Sequence, residues 1–164
     1  MTASVRLTGR LEPRDAWAAD RCPIAATLDV VSTRTAFLLL REAVYGATRF
    51  EQFVERAQVS EPVAAARLRE LVAAGLMERR PYREPGQRTR HEYVLTEKGS
   101  ELMPVLLALM EWGDRWAVEG GARVELRHAG CGARVRPVMR CDGGHDVAED
   151  ELELALKPRS VTPA

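Results

Sequence analysis

The chain has 164 residues, 46% hydrophobic and 29% charged, which suits one domain plus an appendage and supplies enough apolar material for a core. Its 24 basic and 24 acidic residues cancel; that argues against indiscriminate polyanion binding by the whole surface, but not against a local basic site. No apolar run approaches the roughly 18 residues of a membrane span, "MTASVRLTGRLEPRD" lacks the apolar centre of a secretory leader, and Cys22, Cys131 and Cys141 are too few and scattered for a disulfide scaffold, so a cytoplasmic protein with no membrane partner is expected.

Residues 1–20 are mixed and weakly periodic, which predicts an N-terminal arm or a short helix. "PIAATLDVVS" begins with Pro23, a good first-turn residue, and places Ile24, Leu28 and Val31 at helical spacing. In "STRTAFLLLREAVYG" Phe37, Leu40 and Val44 share a stripe with Leu38 and Leu39 beside it, and Gly46 can end the helix. "TRFEQFVERA" predicts a third, short helix with Thr48 and Glu51 as a capping box and Phe50, Phe53 and Val54 inside. "SEPVAAARLRELVAAG" predicts a fourth: Ser60 as N-cap, Pro62 in the first turn, Ala64, Leu68, Leu71 and Val72 as the buried stripe, and Gly75 as terminator.

"LMERRPY" and "HEYVLT" are strand-like runs on either side of "REPGQRTR", whose Pro85-Gly86 pair marks a turn. Between Arg79 and His91 stand five arginines and one glutamate. Only Lys98 and Lys157 among the 24 cations are lysines, so arginine content alone says little and position is what counts. Thr96 then caps a long helix through Glu119, with Leu102, Val105, Leu106, Leu109, Met110, Gly113 and Trp116 repeating at three and four and a kink expected at Pro104. The composition changes at Gly120, where short strands with Gly-rich turns are expected, and residues 141–156 hold six acidic residues and no lysine or arginine. The expected organisation is an arm at 1–20, a helical domain at 21–119, a small β-rich tail at 120–156 and a disordered end at 157–164.

Four helices, a strand, a charged turn, a second strand and a long helix make a winged helix-turn-helix, an α+β fold that is mainly α. "CPIAATLDVVSTRTAFLLLREAVYGATRFEQF", "SEPVAAARLRELVAAGLMERRPY" and "HEYVLTEKGSELMPVLLALMEWGDRW" together resemble the HxlR-type branch of the MarR-like bacterial transcription regulators, over residues 20–117. The resemblance implies a homodimer on a pseudo-palindromic operator, with dimer contacts from the N-terminal and final helices. The sequence departs from the family at 32–36: where a Gly-Lys/Arg-Trp segment is usual it reads "STRTA", with Thr35 at the common tryptophan position.

A recognition helix lays its N-terminal half against base edges in the major groove. Here Ser60 and the helix N-terminus suit a phosphate. Glu61, beside Pro62, can accept from cytosine N4, and Ala65 or Ala66 can touch a thymine methyl. Arg67 and Arg69 can reach phosphate or guanine. Arg83, Arg88 and Arg90 of the wing can follow the backbone or enter the minor groove, with Arg79 and Arg80 leading into them. The alternatives are a basic hairpin that is only a solvated edge, or a winged helix that binds another protein in place of specific DNA.

Two further signals sit outside that site. Cys22, ahead of Pro23 and beside Arg21, is placed at a helix start to act as a thiolate, or as a small buried hydrophobe; relatives that sense oxidation carry a cysteine here. His128, Cys131, Cys141 and His145 have gaps that could hold tetrahedral zinc, although "CDGGH" lacks the second cysteine of a knuckle. Without zinc the segment is a metal-free hairpin, and no other cofactor is expected. A small-molecule effector is expected near Met103, Met110, Trp112 and Trp116, which also suit plain core or a dimer seam. No catalytic set is found: "HEYVL" lacks the second histidine of a metalloprotease helix, "GCGAR" lacks the lysine of a phosphate loop, and there is no G-x-S-x-G.

Overall fold

A computed structural model describes residues 5–16, 22–31, 33–83, 86 and 88–157. They divide into two compact units, Pro23–Pro137 and the two chain ends, up to Cys22 and from Val138. No single helix among the described residues is long and apolar enough to cross a membrane.

The larger unit holds helices α1 (Pro23–Val30), α2 (Arg34–Val44), α3 (Phe50–Ala57), α4 (Glu61–Ala73), α5 (Glu97–Ser100) and α6 (Met103–Trp116), with strands β2 (Met77–Tyr82) and β3 (Arg90–Leu95) between α4 and α5. Its core gathers Ala36, Leu39 and Leu40 of α2, Phe53 and Ala57 of α3, Leu68 and Leu71 of α4, and Val31, Ala47, Leu76 and Met77. Helix α2 begins inside the segment that departs from the family pattern: Thr33 Oγ1 accepts from the Ala36 N–H at 3.1 Å. Thr35 is half-buried one residue into that cap. The apolar stripe of α2 is turned slightly from expectation, with Leu39 and Leu40 innermost and Phe37 and Leu38 partly covered.

The capping of α3 differs from expectation by one residue. Gln52 Oε1, not Glu51, accepts from the Thr48 and Arg49 N–H groups, each at 3.0 Å. The helix starts at Phe50, which puts Gln52 at the third helical position, where such back-bonding works. Helix α4 keeps its expected stripe of Ala64, Leu68 and Leu71, and Gly75 at φ +71° lets the chain turn out. Strands β2 and β3 pair antiparallel from Met77↔Leu95 to Tyr82↔Arg90. Thr96 then caps α5, its Oγ1 accepting from the Gly99 N–H at 3.1 Å and donating to the Gly75 carbonyl at 2.6 Å.

Three expectations change. The long helix is two helices, broken at Glu101–Leu102, and Pro104 lies in the first turn of α6 instead of kinking an interior; its missing N–H has no intrahelical partner to lose there. Helix α1 buries none of its residues: Ile24 and Leu28 are exposed and only Val31, just past its end, is covered. The strands expected after residue 120 are, up to Leu152, isolated bridges at tight turns, Arg127↔Arg134 and Arg140↔Asp146.

Residues 120–137 belong spatially with the helices, so the compositional break at 120 does not mark the break between units. Arg134 donates to Glu111 at 2.8 Å and to Asp114 at 3.0 Å, both on α6. In the smaller unit β1 (Arg6–Leu7) pairs in parallel with β4 (Glu153–Leu154), and Arg6 meets Glu153 at 3.1 Å. Part of the expected arm is thus ordered against the acidic stretch. Arm residues 1–4 and 17–20, and all of the expected disordered end except Lys157, lie outside the described residues.

Candidate nucleic-acid interface

Helices α3 and α4 are joined through Gln58, whose φ of +52° makes it the one described non-glycine residue with a left-handed backbone. The turn leaves the start of α4 outside the core. Ser60, Glu61 and Pro62 are exposed, Ala65 and Ala66 half-buried, and Arg69 exposed. Ser60 stands at the N-cap but its side chain makes no capping bond. At about 100° of rotation per residue, Glu61, Pro62, Ala65, Ala66 and Arg69 fall on one face, an arc of about 140° centred about 125° from the buried Ala64, Leu68 and Leu71. Its small side chains let the helix approach a surface closely, and the first-turn N–H groups give that end partial positive charge. Arg67 is not part of this face; it points about 100° beyond Ala66 and is ion-paired with Glu70.

The wing stands beside α4 on the same core. Tyr93 N–H of β3 donates to the Thr48 carbonyl at 2.8 Å, and Arg49 bridges to Glu92. The Arg49 guanidinium lies 3.2 Å over the Tyr82 ring centroid, a cation–π contact that fixes the end of β2 to the start of α3. Phe53 meets Tyr93 edge to face at 6.2 Å. Arg79 contacts His91 Nδ1 at 3.0 Å and Arg80 pairs with Glu78, so these two are engaged within the hairpin. Arg83, Arg88 and Arg90 are exposed towards its tip. Glu84, Pro85 and Gln87 lie outside the described residues.

Sequence reasoning missed Arg49 and His91. In the sequence Arg49 is only one residue at the head of "TRFEQFVERA". Its contact with Tyr82 spans 33 positions, and no periodicity or spacing signals it.

The remaining expected site residues are dispersed. His128 Nδ1 lies 3.2 Å from Cys131 Sγ, and Cys141 Sγ lies 3.6 Å from His145 Nδ1. The first pair belongs to the larger unit and the second to the smaller, and no group of three or more His, Cys, Asp or Glu suited to a metal occurs among the described residues. Cys22 is half-buried immediately before α1. The four residues expected near an effector divide between two faces of α6. A space of 330 Å³ between α2 and α6 is lined by Met103 and Met110, whereas Trp112 and Trp116 project from another face of α6 and are exposed.

A family model described as HxlR-like helix-turn-helix matches residues 30–121. Over 119 residues the chain is 38% identical to a protein of Mycobacterium tuberculosis named an HTH-type transcriptional regulator, covering 72% of this chain and 74% of that one. Among solved structures, PA1607, described as a transcription factor, superposes with a TM-score of 0.74 at 30% identity, over 85% of this chain and 97% of its own. The redox regulator HypR in its reduced form gives 0.51 at 32% identity, over 60% of this chain and 98% of its own. The match to PA1607 extends beyond the winged helix into the tail. The chain belongs to the HxlR-like helix-turn-helix family and is a DNA-binding, helix-turn-helix transcription regulator.

Proposed function

We propose that the protein binds a pseudo-palindromic double-stranded operator as a homodimer, and blocks or aids polymerase by occupying it. One observation carries this reading: a close-approach face at the start of α4 stands beside a wing with three exposed arginines, and Arg49 and Tyr93 fasten the wing to the same core. In the major groove Glu61 accepts from cytosine, Ala65 and Ala66 meet thymine methyls, and Arg69 reaches guanine or phosphate. Ser60 and the helix N-terminus hold a phosphate, and Arg83, Arg88 and Arg90 follow the neighbouring backbone. Alanines supply little base readout, so DNA shape carries part of the specificity. The signal is a small molecule or a redox change; the cavity supports the former, and the likeness to HypR, with Cys22 at the head of α1, the latter.

The test is fluorescence anisotropy on the DNA upstream of the protein's own gene, with a random duplex as control, across a salt series. The upstream DNA is expected to bind about a thousandfold more tightly than random, with a steep negative salt slope. Replacing Arg83, Arg88 and Arg90 together by alanine should weaken every duplex alike and flatten the slope by about 5 units, near 0.9 for each of the phosphates no longer neutralised by the two protomers. A triple variant with unchanged slope and function would move the reading to a protein-interaction module.

A further inference from the structure

The cavity between α2 and α6 has a third wall that neither the helix-turn-helix nor the wing requires. Phe37, Leu38 and Val44 line one side, and Met103, Leu106 and Met110 another. Val118, Ala122 and Leu126, from the segment after α6, close the rest. Arg134 holds that segment in place through Glu111 and Asp114, and Asp114 Oδ1 also accepts from the Ala122 N–H at 2.5 Å. The cavity is therefore not the uncovered side of a dimer helix. Along α6 the exposed Val105, Trp112 and Trp116 form one stripe, and Met103, Leu106, Leu107, Met110 and Asp114 form another, about 155° away at roughly 100° per residue; Leu109, at the edge of the first stripe, is half exposed and also lines the cavity.

We propose that this cavity binds a small, neutral, mostly apolar molecule of about two fused or linked rings carrying one hydrogen-bond acceptor. The volume of 330 Å³ lies at the lower end of small-molecule pockets. Both charged groups at its rim are already paired. The Arg41 guanidinium is held by the buried Glu42 carboxylate at 2.5 and 2.8 Å, and Asp114 is held by Arg134 and Ala122. A charged ligand would lose its hydration without gaining an unpaired counter-charge. The polar handle is the Tyr45 hydroxyl, whose contact here is a weak one to Met110 Sδ at 3.7 Å. A ligand acceptor takes its place. Gly113 lines the same space, and a Cβ there would meet nothing within 4 Å. Helix α2 links the site to DNA binding, because its other face carries Leu39 and Leu40 into the core shared with α4. The binding stands on the cavity alone; its effect on DNA rests on the function proposed above.

The experiment is a titration of the full chain with 6-propionyl-2-(dimethylamino)naphthalene, a neutral probe of two fused rings with a carbonyl acceptor, whose emission shifts to the blue and rises in apolar surroundings. A saturable rise at one probe per chain is expected. Gly113→Leu, which grows into open space, and Met110→Trp should each raise the dissociation constant by about tenfold or more with the melting temperature held. Arg115→Ala, exposed on α6 and outside the cavity lining, should leave the constant unchanged. Absence of saturable binding overturns the proposal. So does probe binding that both cavity variants keep, or that Arg115→Ala removes. Operator affinity of the wild type and of both cavity variants, measured without probe, is read separately, so failure here and failure of the DNA-binding function are distinguishable.

Discussion

Gly99 shows what a single residue can be fixed by. It is buried in α5, and its φ lies outside the left-handed region, so conformational freedom is not the reason for glycine. A Cβ at this position would overlap the Leu76 carbonyl oxygen and stand 3.2 Å from Leu95 Cδ2. The Leu76 backbone cannot give way easily, because its N–H donates to Leu71 at 2.9 Å and its carbonyl accepts from Thr96 at 3.1 Å. Two effects oppose each other in Gly99→Ala. Alanine gains about 1 kcal/mol of helix propensity over glycine, and overpacking against fixed backbone costs about 1–3 kcal/mol or more. Overpacking wins, and the variant is expected to unfold at lower urea with an unchanged m-value. A midpoint equal to wild type would show that the α4–β2 turn relaxes freely. In the sequence this glycine was only one letter of a "TEKG" cap; the oxygen that forbids a side chain lies 23 positions earlier.

At the scale of elements, local signals were legible and those that depend on distant partners were not. Helix α4 and the hairpin declare themselves through caps, a turn pair and a 3.6-residue stripe, all encoded within about a dozen residues. The capping of α3 falls one position from expectation because Glu51 and Gln52 are both competent to back-bond. The exposed α4 face and the wing arginines are legible in the sequence, but the pairing of Arg67 with Glu70 and of Arg80 with Glu78 depends on side-chain positions that no local pattern encodes. The tail was the hardest part, since charge and glycine content suggested a separate ribbon while Arg134 ties its first half to α6.

That tie is pH-dependent. Asp114 is held below the ordinary aspartate range, first by the Ala122 N–H and then by Arg134, and Arg134 is raised in turn, first by its bond to Asp114. A depressed carboxyl contributes stability that is fully present above its unfolded value, about 3.9, and is lost as pH falls through the lower folded value. The Asp114 contribution to the attachment of 120–137 is thus complete at neutral pH and is lost only in acid. Asp114→Asn at pH 7 is expected to speed tryptic cleavage after Arg123 and Arg127 several-fold with little change in global melting, as exposed ion pairs contribute modestly. Cleavage at the wild-type rate would assign the attachment to Glu111 alone.

For the whole molecule, the unexplained surface is apolar and lies on two helices. Helices α1 and α6 contain no buried residue. Ile24 is 71% exposed, Leu28 51%, Trp112 63% and Trp116 67%. An eight-residue helix is marginal in water by itself, and exposed stripes of this kind mark a surface that another body covers. The proposed homodimer supplies that body and also explains why a chain with one recognition helix would read a palindrome. Two α4 helices about 34 Å apart reach successive major grooves on one side of the duplex. Binding the second half-site then becomes intramolecular, and affinity rises without any new interaction. Leu28→Glu combined with Trp112→Glu should therefore halve the mass seen by light scattering. It should bring affinity for the full palindrome down to that for a single half-site, while the salt slope falls by about half because half as many phosphates are neutralised. A wild-type chain that is monomeric at micromolar concentration, and that binds one half-site as tightly as two, would leave these stripes for a different partner.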